Sequence, residues 1–200
     1  MLDDALKVRL RRRGVALEYT TLGWNVIGVI VLAVAAGTAS SVALLGFGLD
    51  SLIEIGASTV VVWELAGTGA DRQRRALRLV GIAFAVLAAY LLVQSVVALA
   101  TAHQAQHSTL GIVWTALTAA VMAGLALGKT RTGAALGNPV LRTEGRVTLV
   151  DAILAAAVLL GLVLNTVLGW WWADPLVGLV VAGYAAREAF HLLGVPQETL

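Results

Sequence analysis

Two carboxylates inside one apolar run constrain the fold of this chain most strongly. The run from Ser41 to Glu64 is long enough to cross a lipid bilayer, yet it contains Asp50 and Glu54. A carboxylate at the centre of a membrane-spanning helix costs about 2.5–3.5 kcal/mol on insertion scales. Residues four apart lie on the same face of a helix, about 6 Å from each other along its axis. The pair therefore has the geometry of a cation site.

The composition places the whole chain in a membrane. Of its 200 residues, 59% are hydrophobic and 13% are charged, and the mean hydropathy is +0.87. Soluble domains carry about 25% charged residues. Since each membrane-spanning helix needs about 20 residues, six spans use most of the chain. The sequence predicts an all-α membrane protein with six transmembrane helices, at 15–36, 41–65, 77–100, 110–128, 139–168 and 174–193.

Lysine and arginine are distributed unevenly between the predicted loops. They occur at 7–13, 72–78, 129–146 and 187, whereas the opposite loops near 37–40, 101–109 and 169–173 contain none. This positive-inside pattern predicts that both termini are cytoplasmic. We expect three parts: a basic cytoplasmic N-terminus over 1–14, a six-helix transmembrane domain over 15–193, and a short cytoplasmic tail over 194–200 with no C-terminal soluble domain.

Several classes of function are disfavoured by the sequence. Cysteine is absent, which excludes disulfides, thiolate metal ligands and thiol redox chemistry. The formal charge of +2 is spread between apolar runs and forms no basic patch, so we expect no nucleic-acid partner. No nucleophile and base pair, Gly-rich phosphate loop or cofactor fingerprint occurs, and we expect that the protein is not an enzyme.

A third intramembrane acid lies in the fifth predicted span. Asp151 is 12 residues, or about 18 Å, beyond the proline that begins this span. This depth is within about one turn of that estimated for Glu54. Asp50, Glu54 and Asp151 are therefore candidate metal ligands. Glu144, earlier in the fifth span, and Asn25, well inside the first, are weaker candidates.

Each of these residues also has a structural interpretation. Asp50 and Glu54 could pair with basic residues, but we expect no Lys or Arg at mid-membrane depth. Glu144 lies near the cytoplasmic boundary, where the helix dipole favours an acid in the first turn. Asn25 could hydrogen-bond between helices.

Polar residues near the predicted helix ends also have ordinary explanations. Glu18 lies near a cytoplasmic end, where an interfacial charge is expected. Asn138 and Asp174 each precede a proline, which is typical of a helix start. His103 and His107 have a metal-compatible spacing but fall in a polar outer loop. The tryptophans at 170–172 are expected in the outer interfacial belt.

Four segments resemble the cation diffusion facilitator family of metal transporters: residues 40–45, LDSLIEIGAS at 49–58, RTEGRVTLVDA at 142–152 and ADPLVGLVVAGY at 173–184. The resemblance implies a homodimer of six-helix chains with cytoplasmic termini and a divalent-ion site between helices two and five. Asp50 and Glu54 match the family's helix-two pair. In the helix-five pair Asp151 matches the second ligand, whereas Val147 replaces the first. The remaining oxygen ligands suit several divalent cations.

The sequence therefore predicts a divalent metal cation transporter, with Zn²⁺ favoured over Mn²⁺, Fe²⁺, Co²⁺ and Cd²⁺. Clustered carboxylates in a low-dielectric site favour their protonated forms and a bound metal reverses that preference, which predicts efflux by metal/proton antiport with alternating access. The expected partners are the lipid bilayer, divalent cations, protons and a second copy of the chain, in a bacterial inner membrane. Two alternatives stay open: a non-transporting membrane binding or assembly protein on the same fold, and a small-molecule/proton exchanger.

Overall fold

The described part of this chain is a bundle of six α-helices. The computed structural model describes residues 4–65 and 70–194. The helices are α1 (Asp4–Ala39), α2 (Val42–Leu65), α3 (Ala70–Ala100), α4 (Thr109–Leu136), α5 (Pro139–Leu168) and α6 (Ala173–Gly194). The prediction of an all-α fold with six helices is confirmed.

The outer faces of the helices are apolar, as a membrane protein requires. Among the described residues, α1, α3, α4, α5 and α6 each contain a stretch long and apolar enough to cross a bilayer. Their exposed positions include Ile30, Val86 and Leu160, which are 64%, 64% and 58% exposed. Such continuous apolar surface suits a hydrocarbon solvent and is rare on soluble proteins. α2 carries the two acids and lies in the middle of the bundle, where it contacts α1, α3, α5 and α6.

Three helices, α1, α3 and α4, are longer than the sequence predicted. The third span was expected to begin at 77, but α3 begins at Ala70. The fourth span was expected to end at 128, but α4 continues to Leu136 and ends at Gly137, whose positive φ of 64° closes the helix. The predicted N-terminal segment over 1–14 is helical from residue 4 and is continuous with α1. Hydropathy marks the hydrocarbon layer, and a helix continues beyond it wherever no breaker intervenes. Residues 1–3 and the predicted tail beyond 194 lie outside the described residues.

The helix start at α5 follows the prediction, whereas that at α6 does not. Asn138 caps α5 by accepting a hydrogen bond from the Leu141 backbone N–H at 3.0 Å. Asp174 was expected to cap its own helix, but it lies within the first turn of α6, and its carboxylate caps the start of α2. It accepts hydrogen bonds from the Ser41 hydroxyl and from the backbone N–H of Val42, at 2.9 Å. The free N–H groups at the start of α2 are thus satisfied by α6, which joins the outer ends of the two helices.

α4 and α5 form the most extensive helix pair, and glycine permits their close approach. A Cβ atom placed on Gly145 would lie 2.5 Å from Thr130 Oγ1 and 2.8 Å from the Thr130 backbone nitrogen. Small residues of this kind let helix backbones pack directly against each other inside a membrane. The pair therefore holds the start of α5 in a fixed position against α4.

We expect Gly145→Ala to lower the thermal unfolding midpoint of the protein in detergent. The added methyl group has to push the Thr130 backbone away, and overpacking of this kind costs about 1–3 kcal/mol. Gly124→Ala is the matched control, because a Cβ at Gly124 meets no atom within 4 Å. Circular dichroism melting curves of both variants provide the measurement. A melting point for Gly145→Ala that equals or exceeds that of Gly124→Ala would contradict this close packing.

Candidate functional site

Three buried carboxylates are neighbours where α2 meets α5. The side chains of Asp50, Glu54 and Asp151 are 1%, 4% and 4% exposed. Coulombic interactions link Asp151 to Glu54 and to Asp50, and Asp50 to Glu54. The structure thus brings together the three acids that the sequence singled out, although 97 residues separate Glu54 from Asp151.

Most of the oxygen atoms in this group accept no hydrogen bond from the described residues. Within 4–65 and 70–194, Asp50 Oδ1, Glu54 Oε1 and both carboxylate oxygens of Asp151 are buried and have no donor partner. An unsatisfied polar atom in a low-dielectric interior costs about 1–3 kcal/mol, and more if it is charged. Carboxylates in this state inside a membrane domain are candidates for a cation path or site.

Asn25 connects α1 to this group. Its Nδ2 atom donates a hydrogen bond of 3.0 Å to Glu54 Oε2, and the side chain is 3% exposed. The hydrogen bond orients the Glu54 carboxylate. The sequence interpretation of Asn25 as a hydrogen-bonding residue between helices is therefore confirmed, and the bond places it beside the candidate ligands.

The three acids do not form a closed coordination shell. In residues 4–65 and 70–194, no group of three or more His, Asp or Glu side chains is arranged to enclose a metal ion. Ionised carboxylates without an intervening cation repel each other. Val147, one turn before Asp151, adds no donor atom. An ion at this position would have to draw the oxygens of α2 and α5 together.

Lys129 is completely buried between two glutamates. Its Nζ atom lies 3.0 Å from Glu18 Oε2, 3.3 Å from Glu144 Oε1 and 3.1 Å from Thr148 Oγ1. Lys129 and Glu18 are both 0% exposed, and Glu144 is 6% exposed. We call Glu18, Lys129 and Glu144 the lysine triad. It joins α1, α4 and α5.

The lysine triad shows what two interpretations of the sequence missed. Lys129 was assigned to a cytoplasmic helix end and Glu18 was taken as an interfacial charge, and neither was expected to be buried. Both are buried because they pair with each other across α1 and α4. The partners of Lys129 are 111 and 15 residues away, so no helical i, i+4 spacing signals the ion pairs. Glu144, a weaker candidate ligand, is engaged by Lys129 in this structure.

The two histidines of the outer loop do not share a ligand geometry. His103 Nε2 lies 3.1 Å from the Ser40 carbonyl oxygen, whereas His107 Nδ1 lies 3.3 Å from Thr166 Oγ1. Both side chains are exposed, and the loop at 103–108 is not helical. The interpretation of these residues as loop histidines is confirmed.

Comparison with known proteins identifies the family of this chain. Residues 77–194 match the family profile of the cation efflux transmembrane domain, and this stretch is more than half of the chain. The chain belongs to the cation efflux family. The predicted resemblance is thereby confirmed. The matched stretch contains Asp151 and the α4–α5 part of the lysine triad, and it begins after Asp50 and Glu54.

A relative of known name is similar over part of the chain. The cation-efflux pump FieF of Shewanella oneidensis is 37% identical to this chain over 87 residues. The match covers 44% of this chain and 29% of the relative, and so spans less than a third of the relative's length. The five apolar helices and the family membership together identify this chain as an integral, multi-pass membrane protein. Its family is one of transporters and not of enzymes.

We expect Asn25→Leu to weaken divalent-cation binding by about tenfold, since a hydrogen bond to a charged group contributes about 1.5–3 kcal/mol. Without the amide donor, the Glu54 carboxylate is no longer held in place from α1. Asn165→Leu is the matched control, because Asn165 donates to the Ala105 carbonyl in the outer loop. Isothermal titration calorimetry measures both variants. Equal affinities for the two variants would show that the Asn25–Glu54 bond has no part in ion binding.

Proposed function

We propose that this protein exports divalent metal cations from the cytoplasm in exchange for protons, with Asp50, Glu54 and Asp151 as the ion ligands. The observation that carries the proposal is the set of four buried carboxylate oxygens where α2 meets α5, which have no hydrogen-bond partner among the described residues. Membership of the cation efflux family supports the same function. The cation is the cargo of the protein, and its binding satisfies oxygens that the bundle leaves without partners.

The ligand chemistry favours hard or borderline divalent ions. All three principal ligands offer carboxylate oxygens, which suit Zn²⁺ and also Mn²⁺, Fe²⁺, Co²⁺ and Cd²⁺. Zn²⁺ is our first choice because of the family resemblance, although Val147 removes the expected nitrogen donor. Asn25 acts mainly through Glu54, and Glu144 is available as a further ligand only when it leaves Lys129.

Proton exchange follows from the low dielectric constant around the site. With no ion bound, neighbouring carboxylates are more stable when some of them carry a proton. Binding of M²⁺ requires their ionised forms, so the protons leave as the ion enters. Exchange of one divalent ion for about two protons leaves the net charge of the site unchanged, which avoids the cost of burying charge. A site that opens to each side in turn then couples ion efflux to proton entry.

We also propose a membrane of residence and an oligomeric state for this protein. The relative comes from a bacterium, which supports residence in a bacterial inner membrane. Assembly as a homodimer rests on the family resemblance. The specific observation that favours the alternative, a non-transporting membrane protein on this fold, is the open arrangement of the three acids together with Val147.

Transport assays in proteoliposomes test the proposal. We expect the unmodified protein to move Zn²⁺ into vesicles with an acidic interior, in exchange for protons that leave. A fluorescent Zn²⁺ indicator enclosed in the vesicles measures the uptake. Asp50→Asn and Asp151→Asn should reduce this flux to the level of empty vesicles. Ser95→Ala is the control, because Ser95 Oγ is also buried and unpartnered but belongs to α3.

Two outcomes of this assay would contradict the proposal. Flux that survives both Asp50→Asn and Asp151→Asn would place the ion site elsewhere. No flux of Zn²⁺, Mn²⁺, Fe²⁺, Co²⁺ or Cd²⁺ through a monodisperse, folded protein would favour the non-transporting alternative.

A further inference from the structure

The lysine triad has the form of an oxygen-lined cation site that already contains a cation. Three oxygens, from Glu18, Glu144 and Thr148, surround the Lys129 ammonium at 3.0–3.3 Å. A fourth, Glu18 Oε1, is buried and has no hydrogen-bond partner in the part of the chain that the structure describes. Oxygen atoms of this type are also the ligands that hard divalent ions prefer.

The lysine triad lies beside the candidate transport site and nearer to one end of the bundle. Glu18 precedes Asn25 by seven residues in α1, and Glu144 precedes Asp151 by seven residues in α5. At 1.5 Å per residue the triad is displaced by about 10 Å toward the starts of these helices. Coulombic interactions connect Glu54 with all three members of the triad. The positive-inside pattern predicts that this end is cytoplasmic.

Lysine can leave such a site without leaving the helix. Its charge is carried on a flexible four-carbon stem, and an ammonium near a helix end can extend toward water. Lys129 is two turns from the end of α4 at Leu136. When both glutamates are ionised, they carry two negative charges against one positive charge. A divalent ion in place of the ammonium would neutralise them completely.

We propose that Glu18, Glu144 and Thr148 form a second divalent-cation site, in which the Lys129 ammonium is a tethered substitute for the ion. The inference rests on the proposed transport function. An ion on its way from the cytoplasmic end displaces the ammonium, occupies the glutamates briefly, and passes to the carboxylates of α2 and α5. The ammonium then returns, which expels the ion from the second site and blocks its way back.

Removal of the ammonium should turn this transient site into a stable one. The test uses purified protein with Asp50→Ala, so that the α2–α5 site is disabled, and compares it with Asp50→Ala combined with Lys129→Met. Calorimetric titration with Zn²⁺ and Mn²⁺ should show about one additional bound ion in the combined variant. A further Glu144→Gln substitution should abolish the gain, and Lys129→Arg in place of Lys129→Met should not produce it.

Three results would overturn the inference. The first is a folded Asp50→Ala, Lys129→Met protein that gains no ion, and the second is a gain that persists after Glu144→Gln. The third result concerns the folding of the Asp50→Ala, Lys129→Met protein, in which Glu18 and Glu144 are buried without the Lys129 ammonium. If it unfolds in metal-free buffer, Zn²⁺ should restore a monodisperse protein where choline chloride of equal ionic strength does not. Failure to fold in both solutions would contradict a metal-binding role.

Transport kinetics separate this role from a structural one. In otherwise unmodified protein, Lys129→Met should lower both KM and the turnover number for Zn²⁺ by about tenfold, because the ion is held too long. A purely structural lysine would lower turnover without lowering KM. Failure of the proposed transport function gives a different result from failure of the second site. In that case the unmodified protein itself would neither bind nor move Zn²⁺.

Discussion

A charged side chain inside a bilayer has to find a counter-charge, a hydrogen bond or a ligand, because hydrocarbon provides none of these. This chain meets the requirement in two different ways. Around Lys129, charges from α1, α4 and α5 form ion pairs with one another. Where α2 meets α5, four carboxylate oxygens have no hydrogen-bond partner within the described residues. α5 contributes to both clusters through Glu144 and Asp151, and Glu54 interacts with both.

The satisfied contacts fix the positions of most helices. The lysine triad joins α1, α4 and α5, and the close approach at Gly145 holds α5 against α4. Asp174 ties the start of α2 to α6, and the Asn25–Glu54 hydrogen bond ties the middle of α2 to α1. α2 meets α5 over a much shorter stretch than α4 does. The proposed ion site therefore lies at a short contact between helices and not within an extensive interface.

Sequence alone located the candidate ligands but not the charges that surround them. The four-residue spacing of Asp50 and Glu54 and the depth of Asp151 are local properties of apolar helices, and the structure brings these residues together; their role as metal ligands stays a prediction. The partners of Lys129 and Asp174 lie on other helices, at sequence separations of 15 to 133 residues. Pairings of this kind depend on how helices pack, which hydropathy and periodicity do not encode.

The most direct test of a carboxylate ion site is the number of protons released as purified protein binds Zn²⁺. Unmodified protein should be compared with Asp50→Ala and Asp151→Ala, which alter α2 and α5 separately. We predict saturable binding with the release of about two protons per ion, and loss of both signals in each variant. Binding and proton release that are unchanged in either variant would contradict a shared site between α2 and α5.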